Sequence, residues 1–159
     1  MQDMDKTYNP EFEKRIYDMW LKGKFFEAHP NPEKEPFTVM MPPPNITGQL
    51  HMGHALDETL QDIIVRFKRM SGYETLWMPG TDHASIATEV KVVERMKKEE
   101  GLSKSDVGRD GFLQRAWAWK EQFGGRIVEQ QKALGISCDW SKSAFTMDEN
   151  CSNAVLDAF

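Results

Sequence analysis

Cysteine is scarce: Cys138 and Cys151 are the two in 159 residues, and neither has a His or Cys neighbour at zinc-site spacing. No metal framework is visible, and both thiols are expected to be free. Long apolar runs are also missing, since no segment approaches the ~18 apolar residues of a membrane span. The opening residues, MQDMDKTYNPEFEKR, carry charge of both signs with no apolar stretch after them. The expectation is a cytoplasmic protein with no membrane partner. Positive charge is not in excess. A net charge of -5 argues against general coating of nucleic acid, though not against an RNA held by a local basic patch in a larger protein. Two nucleotide fingerprints are absent, because the chain contains neither G-x-G-x-x-G nor G-x-x-x-x-G-K-[ST]. A nucleotide bound here is held by something else. There is no internal repeat and no low-complexity segment, and 40% apolar composition fits one soluble domain with an ordinary core.

What is present reads as α/β. Asn9 and Pro10 form a helix start, and Phe12, Ile16, Met19 and Trp20 follow at helical spacing. Proline and charge break the pattern around 28–36, and FTVMM, 37–41, reads as a short strand that the prolines after it must end. From His51, Leu56, Leu60, Ile63, Ile64, Phe67 and Met70 line one face of a helix that Gly72 can close. ETLWM, 74–78, is a second strand, and Ile86, Val90, Val93 and Met96 or Lys97 mark the next helix face. That order predicts a parallel sheet with crossover helices. Phe112, Ala116, Trp119, Phe123, Ile127 and Leu134 form a long helical stripe, interrupted at Gly124-Gly125 at ~1 kcal/mol per glycine. TMDE, 146–149, has the pattern of a capping box opening a last helix, with Val155, Leu156 and Phe159 on an apolar face expected to be exposed. No stop signal follows, which suggests the front of a longer protein.

The segment PPPNITGQLHMGHA, 42–55, sits where the first strand hands over to a helix N-terminus. Open parallel sheets bind ligands there, and free helix N–H groups favour phosphate. His51 and His54, three apart, project from one face and can donate to phosphate oxygens or, when protonated, offset growing charge. Gly53 leaves room for a base or ribose, the prolines stiffen the entry, and Gly48 permits a turn. The alternative is that both histidines are surface or capping residues. Asp82 likewise has two readings, a carboxylate that selects an amine or the N-cap of the helix after it. His83 faces the same cleft or is structural.

HMGH resembles the His-Ile-Gly-His signature of class I aminoacyl-tRNA synthetases. PPPNITGQLHMGHAL and WMPGTDHASIATE are similar to the valyl branch, whereas the isoleucyl branch typically has Pro-Pro-Tyr-Ala-Asn-Gly before its signature. The similarity continues through FLQRAWAWKEQFGGRIVEQQKALGISCDWS and FTMDE. One departure is Ser85, where many valyl enzymes have Gly. The resemblance implies the first half of a Rossmann-like nucleotide-binding fold at 37–159, preceded by a helix and linker at 1–36 and stopping before the family's editing insertion. It implies valine–tRNA ligase activity on valine, ATP with Mg²⁺, and tRNA(Val), in a monomeric full-length protein. His51 and His54 would be catalytic and, with Gly53 and Thr47, bind ATP; Pro43, Asn45 and Asp82 would bind valine; no residue would hold a resident metal. Another nucleotidyltransferase of the superfamily, or a noncatalytic binding module, stays open.

The family's second ATP motif, Lys-Met-Ser-Lys-Ser, is only echoed by GLSKS, 101–105, and DWSKS, 139–143, in the wrong half of the fold. Lys104 and Lys142 are read as surface residues, and Ser103 or Ser105 as helix caps. Trp117, Trp119 and Trp140 are expected in the core, and Lys68 and Arg69, like Lys97 and Lys98, at helix ends where they complement the dipole.

Overall fold

The computed structural model describes residues 8–159. The reading of the first seven residues as a charged start lies outside the described residues. Helix α1, Glu11–Lys22, begins as its sequence indicates: Asn9 Oδ1 accepts the Glu11 N–H at 3.0 Å and Pro10 enters the first turn. Its buried side chain is not on the predicted stripe. Phe12, Ile16 and Met19 are exposed, and Tyr17 is buried instead. The Tyr17 hydroxyl donates to the Ile136 carbonyl at 2.7 Å and accepts from Trp140 Nε1 at 2.9 Å. Among the described residues this side chain brings the donor to that buried carbonyl, so the helix turns its tyrosine edge inward.

Strands β1, Pro36–Met40, and β2, Glu74–Met78, pair in parallel with Thr38 opposite Leu76. The pairing extends past the prolines through a parallel bridge between Asn45 and Asp82. On the other side, β3, Gly80–Thr81, pairs in parallel with β4, Ala144–Phe145. The predicted parallel α/β fold is therefore the one observed. Helix α2, Met52–Met70, crosses between β1 and β2; α3, Ile86–Glu99, and α4, Lys104–Ala133, lie between β3 and β4. Two clusters form the interior. One joins Ile46, Val92, Met96, Trp119, Ile127 and Phe145 around α3 and α4. The other joins Met41, Val65, Trp77, Ile136 and Cys138 under α2.

In α2 and α3 helical type was readable where most of the buried face was not. The α2 stripe Leu56, Leu60, Ile63, Ile64, Phe67 and Met70 does share one face, and that face is exposed; Glu58 and Val65 are the side chains it buries. In α3 the buried residues are Thr88, Val92 and Met96; of the predicted face Met96 is buried as expected, whereas Ile86 and Val90 face outward. Both faces of α3 are apolar enough to pack, and α4 selects one. In α4 the glycine break falls at Gly108, with φ 65° and ψ -175°, while Gly124 and Gly125 stay helical. Of the predicted stripe Trp119 and Ile127 are buried with Phe112 and Phe123 packed against them, as expected; Leu134 is exposed, and beyond it the interior takes Gln131 and the run Ile136–Asp139.

Both cysteines are free, and burial pushes the Cys138 thiol far above its ordinary range, so it is inert. Trp119 is core, Trp140 half-buried, and Trp117 exposed. Arg69 does more than end a helix: Nη1 donates to Ser137 Oγ at 2.8 Å, and its neighbour Lys68 lies 3.9 Å over the Tyr73 ring. Lys104 pairs with Glu89 at 2.6 Å, and Lys142 is exposed on a short 3-10 turn, as surface residues should be. Ser103 starts α4, its backbone N–H held by Asp106 at 2.8 Å. Helix α5, Glu149–Ala158, exposes Val155 and Leu156 as expected. Its N-cap is Asp148, not Thr146.

The link into α3 is strained. Ala84 and Ser85 take φ of 51° and 38°, a region that penalises a Cβ, and the Ser85 side chain caps nothing. Ser85→Gly is therefore expected to stabilise the chain by about 1 kcal/mol in a urea titration. A lower midpoint for the variant would contradict that strain.

Candidate active site

The loop after β1 is braced on both sides. Ile46 N–H donates to the Asp82 carbonyl and Asp82 N–H to the Pro44 carbonyl, each at 2.9 Å, so Asn45 and Asp82 stand side by side at the sheet's carboxyl end. From α4, Trp119 Nε1 donates to the Ile46 carbonyl at 2.6 Å, and Gln130 Oε1 accepts the Leu50 N–H at 2.9 Å. Gly48 is not in the left-handed region and a Cβ there would meet nothing, so the turn does not depend on that glycine. Pro43, Asn45, Thr47, His51, Gly53 and His54 line one cleft of about 600 Å³, with Asp57 and Glu58 on its wall. Asp82 reaches it only through its bridge to Asn45.

The two histidines close the N-terminus of α2 reciprocally. His51 Nδ1 accepts the Gly53 N–H at 3.1 Å, and His54 Nδ1 accepts the His51 N–H at 3.2 Å. Their ring centroids lie 4.0 Å apart with the planes tilted by 47°. The capping reading and the phosphate reading are thus compatible. A ring nitrogen that accepts carries no proton, so the cap assigns each proton to Nε2 and leaves two neutral Nε2–H donors beside the exposed helix end. Burial, and then the neighbouring His51, hold the His54 pKa below its ordinary value.

Protonation at Nδ1 would break the cap, which gives a pH dependence. Below about 6.5 the unfolded chain takes up a proton that native His54 resists, so His54 makes stability fall as pH is lowered through that range. Glu58 opposes it, since burial raises its carboxyl pKa and protonation favours the native state. The melting temperature of wild type minus that of His54→Asn isolates the His54 part and is expected to decrease from pH 7.5 to 5.5. A flat difference would contradict the lowered pKa.

Gly53 has a local reason to be glycine. A Cβ there would stand 2.9 Å from His51 Cε1, so any side chain displaces the capping ring. Under the cleft, Glu58 Oε1 accepts from Gln131 Nε2 at 2.7 Å, while Oε2 is buried without a partner. Among the described residues no three His, Cys, Asp or Glu gather to hold a metal ion. Asp82 accepts from no helix N–H; the N-cap of α3 is Ser85, which removes the capping reading of Asp82.

A family profile for class I tRNA synthetases of the I, L, M and V group matches residues 15–159. The chain belongs to the class I tRNA synthetases. It is 57% identical over 157 residues to a valine–tRNA ligase of Carboxydothermus hydrogenoformans, which covers 98% of this chain and 18% of that protein. A valine–tRNA ligase of Thermus thermophilus is 54% identical over 158 residues, with 99% and 18% covered. The chain thus spans about a fifth of the length of these relatives. A LeuRS of Agrobacterium radiobacter K84, solved as a ternary complex with tRNA and LeuAMS, shares the fold at TM-score 0.75 and 17% identity, covering 95% of this chain and 18% of that one.

Within this class I synthetase chain the sequence-predicted residues fall into two groups. Pro43, Asn45, Thr47, His51, Gly53 and His54 share the cleft; His83 lines a second, more apolar one of about 280 Å³ with Trp117, Lys120 and Phe145, and Asp82 lies between the two, bridged to Asn45 and paired with His83. The contacts that brace these residues, from Trp119, Gln130 and Thr146, and the Glu58–Gln131 pair on the cleft wall were not singled out for that role. For Glu58 a signal existed, because it lies one turn after His54 on α2. None marked the others, whose partners are distant in sequence.

Proposed function

We propose that this chain supplies the phosphate- and amine-recognising part of an ATP-dependent, valine-activating site, and that the protein works as a valine–tRNA ligase. The observation that carries this is the reciprocal histidine cap, which occupies Nδ1 of both rings and leaves their Nε2–H groups free on two residues that line the cleft at the start of α2. Identity of 54–57% to valine–tRNA ligases supports the choice of amino acid. A valine carboxylate oxygen attacks the α-phosphorus of ATP, the α–β bridging P–O bond breaks, and pyrophosphate leaves. A terminal ribose hydroxyl of tRNA(Val) then attacks the adenylate carbonyl and AMP departs.

His51 and His54 hold phosphate oxygens where negative charge grows, with Thr47 and Gly53 bordering the nucleotide, while Pro43, Asn45 and Asp82 orient valine. Mg²⁺ enters as the counter-ion of ATP. The division into a leading segment, 1–36, and a nucleotide-binding part, 37–159, a cytoplasmic location and a monomeric full-length protein belong to this reading.

Single-turnover ATP consumption with valine, isoleucine, threonine or no amino acid tests it. A valine-dependent burst is expected from the protein that carries this site. Consumption indifferent to the amino acid would favour another nucleotidyltransferase, and ATP binding without any consumption a noncatalytic module.

A further inference from the structure

Thr146 belongs to a pattern that promised a helix cap, and its hydroxyl does something else. The residue follows β4, and its N–H donates to the Thr81 carbonyl at 3.2 Å, fixing it beside the loop that carries Asp82. Oγ1 stands 2.9 Å from Asp82 Oδ1, 2.6 Å from His83 Nδ1 and 3.0 Å from the His83 backbone nitrogen. We infer that Thr146 is a positioning residue that orients the Asp82 carboxylate and locks His83 with its proton on Nδ1.

The proton count leaves one arrangement. A hydroxyl has one hydrogen and two lone pairs, and an ionised carboxylate only accepts. The hydroxyl hydrogen therefore goes to Asp82 Oδ1, and the lone pairs accept the His83 backbone N–H and a proton on Nδ1. That nitrogen also lies 3.3 Å from Asp82 Oδ1, again as a donor. In the neutral ring His83 Nε2 then keeps a lone pair, on a residue that lines the apolar cleft with Trp117, Lys120 and Phe145. No hydrogen bond among the described residues uses Asp82 Oδ2, which leaves that oxygen for a cation. The tautomer is opposite to that of His51 and His54, so the His83 ring is distinguishable from theirs by spectroscopy. The lock rests on geometry alone; that the cation is the valine ammonium rests on the function proposed above.

The test compares wild type, Thr146→Val, which keeps the shape and removes the hydroxyl, and Thr146→Ser, which keeps the hydroxyl. Long-range ¹H–¹⁵N spectra of the histidines are recorded, and valine is titrated in the presence of ATP. The expected result is an Nδ1–H signature for His83 in wild type and Thr146→Ser, lost in Thr146→Val, with valine binding weakened about 10-fold only in the valine variant. An Nε2–H signature in wild type, or a signature unchanged in Thr146→Val, overturns the lock. Unchanged valine affinity in Thr146→Val overturns the positioning of Asp82. A wild-type chain that binds ATP but no valine overturns the assignment of the ammonium and thus the functional reading, while the spectra still decide the lock.

Discussion

Replacing His51 and His54 together by asparagine is expected to leave α2 capped and to weaken ATP binding by about 10–100-fold for each donor removed. Asparagine places Oδ1 where each imidazole places Nδ1, so the Gly53 and His51 N–H groups keep acceptors. What disappears is the pair of Nε2–H donors. Alanine is a poorer probe because it also removes the caps, at about 0.5–2 kcal/mol each. Calorimetric titration of ATP beside a thermal melt separates the two effects. A loss of melting temperature with unchanged ATP affinity would mean that the histidines only cap the helix.

The largest stability effect is expected at Trp119. Its side chain is 7% exposed, packs with Ile46, Val92, Met96 and Phe145, and stacks on Phe123 with ring centroids 4.1 Å apart. Its indole N–H satisfies the Ile46 carbonyl, in the loop that carries Asn45 and Thr47. Trp119→Ala should cost about 3–5 kcal/mol by equilibrium unfolding. Trp119→Phe keeps much of the ring and strands that carbonyl, for about 1–3 kcal/mol. Because the brace acts on the loop, the phenylalanine variant should also bind ATP more weakly at temperatures where it is fully folded. Wild-type stability for Trp119→Phe would contradict the hydrogen bond's role.

The fold was readable where period and punctuation agreed. The two strands before proline, and α2 opening at His51, follow from short apolar runs and helical spacing closed by residues that cannot continue the element. The inward face of each helix was less readable, because it depends on what packs against it. α3 offers Ile86 and Val90 on one side and Thr88, Val92 and Met96 on the other, and only the position of α4 decides between them. The buried run Ile136–Asp139 looks polar in sequence, yet the Asp139 carboxylate finds Ala28 N–H at 3.1 Å and Ser141 N–H at 3.0 Å, which makes its burial tolerable.

The site shows the same division. Residue types and their spacing pointed to His51 and His54, the resemblance added Asn45 and selected the amine reading of Asp82, and the fold brings each to the sheet's carboxyl end. Their protonation was not legible, since a tautomer is set by partners. The 51–54 pair finds its partners within one turn, whereas His83 takes its partner from Thr146, 63 positions away.

The central claim is that α2 presents two neutral imidazole donors to the phosphates of ATP. A long-range ¹H–¹⁵N spectrum of the histidine side chains, recorded through an ATP titration at pH 7.5, tests it most directly. The account predicts Nε2–H signatures for His51 and His54 in the free chain, and movement of both with a single affinity as ATP is added. Protons on Nδ1 in the free chain, or Nε2 resonances that ATP leaves in place, would contradict it.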